Sequence, residues 1–145
     1  MKVAIYGQYY QISTEPIIKD IFNFLVSNAI EIVVESNFLK MLVEKNLFEK
    51  EYRTFESHTE LDGSFDFLIS IGGDGTILRA ATLVRDSGVP ILGINAGRLG
   101  FLATVQKDNI PEFMQFIIDK KYSVSKRTLL SLSCMPENET IKDLN

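Results

Sequence analysis

The sequence predicts an α/β fold, a doubly wound and mostly parallel sheet with helices on both faces. Apolar runs that suit strands alternate with segments of helical periodicity along most of the 145 residues. The first strand candidates are nearly continuous apolar runs, which is typical of parallel strands that are covered on both faces. Neither internal repeats nor low-complexity tracts interrupt this alternation, so a single domain is expected.

The chain opens with a strand and a helix. Residues 2–7 (KVAIYG) predict a buried strand that ends in a glycine turn. Residues 14–29 predict an amphipathic helix, with Thr14 as its N-cap and Pro16 in the first turn, where a missing N–H costs nothing.

A second strand and helix follow the first pair. Residues 31–36 (EIVVES) predict a buried strand, and Ser36 is expected to cap the next helix. That helix carries Leu39 and Leu42 on its apolar face. The polar, mixed stretch 50–64 is interpreted as a loop.

The middle of the chain predicts another strand, helix and strand. Residues 65–73 (FDFLISIGG) form the third strand, and residues 76–88 form a helix that Thr76 caps and Gly88 stops. Residues 89–95 (VPILGIN) form the fourth strand.

The last third of the chain begins with a turn. Residues 97–105 predict this turn and a short strand, and residues 109–121 predict a helix with Asn109 as its cap. Residues 122–135 alternate in part and are interpreted as a strand that leaves the domain.

Composition excludes several classes of function. The net charge is −4 and no basic block is longer than Lys120-Lys121, so nucleic-acid binding is not expected. The apolar start is too short for a signal peptide or a membrane span. One cysteine, Cys134, allows no internal disulfide, and one histidine, His58, allows no histidine metal cluster. No metal-binding residue is predicted, and the cytoplasm is the expected compartment.

The segment GGDGT, residues 72–76, combines a glycine turn with a carboxylate. Glycines allow a ligand to approach the backbone, and a helix N-terminus offers unpaired N–H groups, so together they suit a phosphate. An ionised Asp74 in that place can accept a hydrogen bond from a hydroxyl, take its proton or help to hold a metal on phosphates. Those roles indicate a kinase that acts on an alcohol. The alternative is a tight turn in which Asp74 only satisfies helix amides.

Two motifs resemble those of a known family. GGDGT resembles a signature shared by NAD kinases, diacylglycerol and sphingosine kinases and, more distantly, phosphofructokinases. Residues 89–105 (VPILGINAGRLGFLATV) resemble the NAD kinase pattern more specifically. Over residues 1 to about 132 the chain therefore resembles the N-terminal domain of an NAD kinase. The resemblance implies a Rossmann-like fold of the NAD kinase and phosphofructokinase type.

The resemblance also implies a reaction and its substrates. The expected activity transfers the γ-phosphoryl group of ATP to the 2′-hydroxyl of the adenosine ribose of NAD, with Mg²⁺ or another divalent cation accompanying ATP. The expected partners are NAD and ATP, with no nucleic acid and no membrane, in a homo-oligomer. The alternatives are a lipid or sugar kinase with the same glycine motif, or a nucleotide-binding domain without turnover.

Six residues match functional positions of the family. Asp74 matches the catalytic aspartate. Arg98, which is not one of the six, is interpreted as a residue that fixes the turn. Phe101 matches the NAD pocket but could equally be a core residue. The predicted nucleotide-binding residues are Gly73, Asp74, Gly75, Arg79, Asn95 and Phe101.

One departure from the family pattern concerns the end of the sequence. Residues 1–132 are expected to form the nucleotide-binding domain, and residues 133–145 to begin the connection to a second, β-rich domain that this sequence lacks. Asn138-Glu139 is the only dipeptide of the type that grips the ribose in the family, and it is interpreted as a surface loop. The isolated chain is therefore expected to show no measurable turnover.

Overall fold

The computed structural model describes residues 1–48, 51–97, 100–103, 105–106 and 110–130. The strands are β1 (Lys2–Gly7), β2 (Glu31–Glu35), β3 (Arg53–Phe55), β4 (Phe67–Gly72), β5 (Ile91–Asn95) and β6 (Val105–Gln106). The α-helices are α1 (Glu15–Ser27), α2 (Ser36–Glu44), α3 (Asp74–Val84) and α4 (Ile110–Ile118). Among the described residues no helix is both long enough and apolar enough to cross a bilayer.

All six strands lie in one parallel sheet, so the predicted fold class is confirmed. Their order is β3-β2-β1-β4-β5-β6, which is the order of doubly wound nucleotide-binding folds. Ile5 of β1 lies opposite Val34 on one side and Ile69 on the other. The order reverses between β1 and β4, and such a switch point opens a crevice beyond the carboxyl ends of the strands.

Helices cover both faces of the sheet. Alternate strand residues point to opposite faces, so Val3 and Ile5 join the core beneath α1, α2 and α4, whereas Ala4 joins the core beneath α3. Burial on both faces explains why these strands have continuous apolar sequences. The core that contains Ala4 holds α3 over β4 and β5, and the first turn of the helix follows the carboxyl end of β4.

The predicted loop 50–64 contains regular structure, so that interpretation is wrong in part. Arg53–Phe55 form the edge strand β3, with Arg53 opposite Val33, and His58–Glu60 form a turn of 3-10 helix. Only Phe55 of the strand is buried. An edge strand with one buried side chain has no apolar run, so the sequence pattern gave little sign of it.

One predicted helix cap is right in position, and a second is wrong. Thr14 is the N-cap residue of α1, but its hydroxyl makes no capping hydrogen bond and instead donates to the Gln11 carbonyl at 2.7 Å within a preceding 3-10 turn. At α2 the capping side chain is Glu35 rather than Ser36, because the Glu35 carboxylate accepts the Phe38 N–H at 2.8 Å. Glutamate is an uncommon N-cap, and a serine beside it is the stronger sequence signal.

Helix α3 begins two residues earlier than predicted. Its N-cap is Gly73, its first residue is Asp74, and Thr76 lies inside the first turn. The Thr76 side chain packs so closely against Gly72 that a Cβ on Gly72 would overlap it. The threonine therefore fixes the approach of α3 to β4 instead of capping the helix, and α3 ends at Val84, before the predicted Gly88.

The predicted strand 122–135 is not observed where the structure describes it. Residues 122–130 have no regular secondary structure and are exposed. Residues 131–135, together with Asn109, Cys134 and Asn138-Glu139, lie outside the described residues.

Helices α1, α2 and α4 end in the same way, without a glycine. The residue after each C-cap is left-handed, with φ of 51° at Ala29, 54° at Asn46 and 55° at Lys120. After α1, the Ile30 N–H donates to the Leu25 carbonyl at 3.0 Å and the Ala29 N–H donates to the Val26 carbonyl at 3.1 Å. This is a Schellman motif, whose left-handed position favours glycine.

We predict that Ala29→Gly stabilises the protein. Glycine removes the cost of about 1 kcal/mol that an L-residue incurs in the left-handed region and keeps both backbone hydrogen bonds. The matched control is Ala81→Gly inside α3, which should destabilise by about 1 kcal/mol. Urea unfolding of the purified full-length protein measures both changes, and equal signs for the two variants would contradict the prediction.

Candidate functional site

The two predicted motifs meet at the carboxyl edge of the sheet. Gly72, the last residue of β4, lies directly opposite Asn95, the last residue of β5. The Ala96 N–H donates to the Gly72 carbonyl at 3.3 Å, which joins the two turns beyond the strand ends. Gly7 of β1 lies opposite Ile71 on the other side of β4. The edge thus gathers turns from three neighbouring strands, where ligands bind in folds of this class.

The fold itself does not demand glycine at two of the motif positions. A Cβ placed on Gly73 or Gly75 would meet no heavy atom within 4 Å, and neither residue has a positive φ. Gly75 lies in the first turn of α3, where glycine is a poor helix former. Because neither packing nor backbone conformation explains these glycines, their bare surface is free for a ligand to approach.

The Asp74 carboxylate binds the turn that follows β5. It accepts hydrogen bonds from three successive backbone N–H groups, those of Phe101 at 2.8 Å, Leu102 at 2.9 Å and Ala103 at 3.1 Å. One bond goes to Oδ2 and two go to Oδ1. The aspartate therefore bridges α3 to a segment 27 to 29 residues away along the chain.

This arrangement stabilises the charged form of Asp74. The N–H groups of Phe101, Ala103 and Leu102 lower the pKa of the carboxyl below its ordinary value. The partial positive charge at the N-terminus of α3 acts in the same direction. A carboxylate has about four acceptor positions, so after these three bonds about one remains for a further donor. Such a group suits the binding and orientation of a hydroxyl better than proton abstraction, which needs a more basic carboxylate.

The predicted residues of the second motif have different environments. Asn95 is buried, and its Oδ1 accepts the Gly97 N–H at 2.8 Å. This hydrogen bond shapes the turn after β5. The Phe101 side chain is 96% exposed, which rules out its alternative interpretation as a core residue. Arg98 lies outside the described residues. The structure thus brings Asp74, Phe101 and Asn95 to neighbouring turns. The Phe101 side chain is exposed, the Asp74 carboxylate is partly exposed, and Asn95 is buried.

Arg79 lies on another side of α3. Arg79 is exposed. Burial raises the pKa of the Tyr6 hydroxyl, and the nearby charge of Arg79 partly opposes this shift. Arg79 lies five positions after Asp74 in the helix, so the two side chains are rotated by about 140° around the helix axis. Asp74 therefore faces the turn after β5, whereas Arg79 faces the end of β1, and the predicted site has an anionic side and a cationic side.

Two residues of the site were not predicted. Tyr6 was included only in the β1 strand pattern, and its partial exposure on the Arg79 side depends on the sheet order. Gly100 was quoted as part of a motif, yet its contact with Asp74 depends on the tertiary approach of the turn to α3. No local pattern in the sequence could have shown either contact.

A metal cage is not visible in the part of the chain that the structure describes. No group of three or more histidine, cysteine, aspartate or glutamate side chains lies close enough to hold an ion there. Asp74 is the carboxylate of the glycine turn, and amide donors already surround it.

Comparison with known proteins identifies relatives of the whole chain. A family model described as the ATP-NAD kinase N-terminal domain matches residues 3–122. An NAD kinase from Flavobacterium johnsoniae is 66% identical over 145 residues, which is 100% of this chain and 49% of that protein. The chain thus spans about half the length of the curated relatives that it matches.

Two solved structures are similar in fold. A yeast NADH kinase complexed with NADH superposes with a TM-score of 0.62 over 83% of this chain and 38% of that chain, at 18% identity, which supports the fold alone. An NAD kinase from Archaeoglobus fulgidus in complex with ATP gives a TM-score of 0.53 over the same shares, at 27% identity. Both likenesses agree with the predicted Rossmann-like architecture.

We predict a pH dependence for the contribution of Asp74 to stability. The folded pKa of Asp74 is below that of the unfolded chain, so the folded state binds fewer protons and the contribution is fully present above the ordinary aspartate value of about 4. It is lost as the pH falls through that value toward the lower folded pKa. Because stability is linked to proton binding, the melting temperatures of the wild type and Asp74→Asn should differ by a roughly constant amount from about pH 5 to 7. The two melting temperatures should converge below about pH 4. A difference that grows on acidification would contradict this sign.

Proposed function

Since this chain belongs to the NAD kinase family, we propose that the protein which contains it phosphorylates NAD. The γ-phosphoryl group of ATP passes to the 2′-hydroxyl of the adenosine ribose of NAD, and the products are NADP and ADP. The observation that carries the proposal is the 66% identity to an NAD kinase along the full 145 residues. The carboxylate and glycines at the strand ends add the chemistry that such a reaction requires.

Asp74 orients the acceptor hydroxyl in this proposal. The hydroxyl donates to the remaining acceptor position of the carboxylate, so its oxygen lone pair is free to attack the γ-phosphorus. The bond from that phosphorus to the β–γ bridging oxygen breaks as the new P–O bond forms. In a loose transition state the attacking hydroxyl loses its proton late, so a weakly basic carboxylate is sufficient. Asp74 thus contributes to turnover chiefly by position.

The other predicted residues divide between the two nucleotides. The exposed ring of Phe101 and the open surface of Gly73 and Gly75 suit the acceptor, next to Asp74. Arg79 suits the donor phosphates, because a guanidinium binds phosphate oxygens well and lies on the opposite side of α3 from Asp74. Asn95 supports the turn between them through its bond to the Gly97 N–H.

A divalent cation enters as part of the donor substrate. Mg²⁺ commonly binds through substrate phosphates with one or two protein carboxylates, and it keeps several waters. The described residues supply only Asp74 at this place, and three N–H groups already bind its oxygens. The ion is therefore held mainly by ATP in this proposal.

The larger organisation of the protein follows from the same proposal. Residues 1–132 form the nucleotide-binding domain and residues 133–145 lead toward a second, β-rich domain, which agrees with the half-length match to the relatives. Both substrates are nucleotides of the cell interior, so we place the protein in the cytoplasm. A homo-oligomer stays a prediction, which sedimentation of the full-length protein tests. The lipid-kinase and sugar-kinase alternatives receive no support, because the matched family model is that of ATP-NAD kinases.

We predict that the full-length protein forms NADP from NAD, ATP and Mg²⁺, and that Asp74→Asn lowers kcat by roughly 10²-fold. The amide of asparagine places a donor where the backbone N–H groups need an acceptor. The side chain at position 74 therefore no longer orients the acceptor hydroxyl of NAD. NADP is measured with a coupled NADP-specific dehydrogenase. The isolated chain is assayed in parallel and should show no turnover, because it provides one wall of a site for two nucleotides.

Two results would contradict the assignment. A wild-type protein that phosphorylates a lipid or a sugar instead of NAD would support the alternative kinase classes. Near-full activity of Asp74→Asn would remove the carboxylate from the reaction.

We predict opposite effects of Gly75→Ala on stability and on binding. Alanine should stabilise the first turn of α3 by about 0.4–1 kcal/mol, since the helix gains a better former and the Cβ meets nothing within 4 Å. The same methyl group should raise the KM for NAD, because it fills the space that the acceptor needs. The control is Gly63→Ala, another open position, which lies before β4 and away from the strand ends. An unchanged KM for NAD in Gly75→Ala would show that this glycine serves no ligand.

A further inference from the structure

The turn at residues 100–103 depends on Asp74 for its position. Phe101 cannot be held by packing, because its side chain is 96% exposed, and Leu102 is also exposed. Their backbone N–H groups are instead fixed on the Asp74 carboxylate at 2.8 Å and 2.9 Å. Ala103, which is fully buried, adds the third bond and anchors the end of the turn in the core.

Gly100 makes this contact possible. A Cβ on Gly100 would lie 2.5 Å from the Asp74 Cγ and 2.6 Å from its Oδ2, and it would overlap Oδ1 as well. Real Cβ atoms essentially never approach other atoms so closely. The missing side chain of Gly100 thus makes room for the carboxylate.

Three hydrogen bonds oppose a displacement of the Asp74 carboxylate. Rotation of the Asp74 side chain away from residue 100 would relieve the overlap, but it would also withdraw both oxygens from the three N–H groups. Any side chain at position 100 therefore either displaces the turn or moves the group that meets the acceptor hydroxyl. A shift of about 1 Å in a positioning group can cost 10²-fold in rate.

We propose that Gly100 is a positioning residue of the phosphoryl-transfer site, and that it acts through Asp74. The space beside its backbone admits the carboxylate, which then holds residues 101–103 and the exposed Phe101 ring in place while it keeps one acceptor position for the substrate hydroxyl. This inference rests on the proposed NAD kinase activity for its kinetic consequence. Its structural content, a steric coupling between positions 74 and 100, is independent of any substrate.

The test is a double-mutant cycle in the full-length protein. The variants are Gly100→Ala, Asp74→Ala and the double variant, with Gly63→Ala as the matched control. Gly63 lies before β4, away from the strand ends, and a Cβ there would meet nothing within 4 Å, so the control makes the same chemical change without the overlap. Melting temperatures are measured first, because they need no turnover.

A steric coupling predicts clear non-additivity. Gly100→Ala should lower the melting temperature by about 3–9 °C in the presence of Asp74, as expected for an overpacked site. In the Asp74→Ala background the same substitution should change it by less than about 2 °C, because no carboxylate remains to be displaced. Gly63→Ala should resemble the wild type. If Gly100→Ala does not fold alone, the double variant should still fold, and a double variant that also fails to fold overturns the proposal.

Kinetics separate a positioning role from a merely structural one. At a temperature where circular dichroism shows each variant fully folded, Gly100→Ala should lower kcat by roughly 10- to 100-fold while the KM for ATP changes little. Adding Gly100→Ala to Asp74→Ala should cause no further loss of kcat. Losses that multiply, or a Gly100→Ala enzyme as active as Gly63→Ala, overturn the proposal. Failure of the wild type to form NADP would refute the proposed function instead, and the melting temperatures would still decide the coupling.

Discussion

The candidate site depends on one constraint, the parallel alignment of β1, β4 and β5. Parallel strands place all their carboxyl ends at the same edge, so three turns that are distant in sequence become neighbours. The buried residues beneath α3 then fix the height of its first turn above that edge. From there the side chain of Asp74 can reach the turn after β5, and its three hydrogen bonds connect the end of β4 to residues 101–103.

The pattern of strands and helices was predictable because burial on both faces of the sheet requires continuous apolar runs in the sequence. Ile5, Val34 and Ile69 belong to continuous apolar runs, and each run became a strand at almost the predicted bounds. The edge strand Arg53–Phe55 gave no such signal, since it buries only Phe55. Helix ends were harder, because Glu35 caps α2 and left-handed residues other than glycine end three helices. Both choices depend on tertiary contacts that offset weak local preferences.

The location of the two motifs was predictable, but their geometry was not, and the functional roles of their residues stay predictions. Glycines beside a carboxylate, placed between a strand and a helix, lie at the edge of the sheet as predicted, and the Phe101 side chain is exposed there. The sequence could not show that Asp74 binds the backbone of its neighbouring motif, because the two segments are 27 to 29 residues apart. Nor could it show the buried position of Asn95, which follows from the pairing of β4 with β5.

The same geometry explains why a negative charge lies at a helix N-terminus that would otherwise attract phosphate. The N–H groups of residues 101–103 stabilise the Asp74 charge, and the helix dipole acts in the same direction, so a carboxylate lies in the first turn of α3. A phosphate at that place would meet a like charge. The cationic side of the helix, where Arg79 approaches Tyr6, is about 140° away and has no such conflict. In the reaction that we propose, one short helix separates the place for the acceptor hydroxyl, at Asp74, from the place for the donor phosphates, at Arg79.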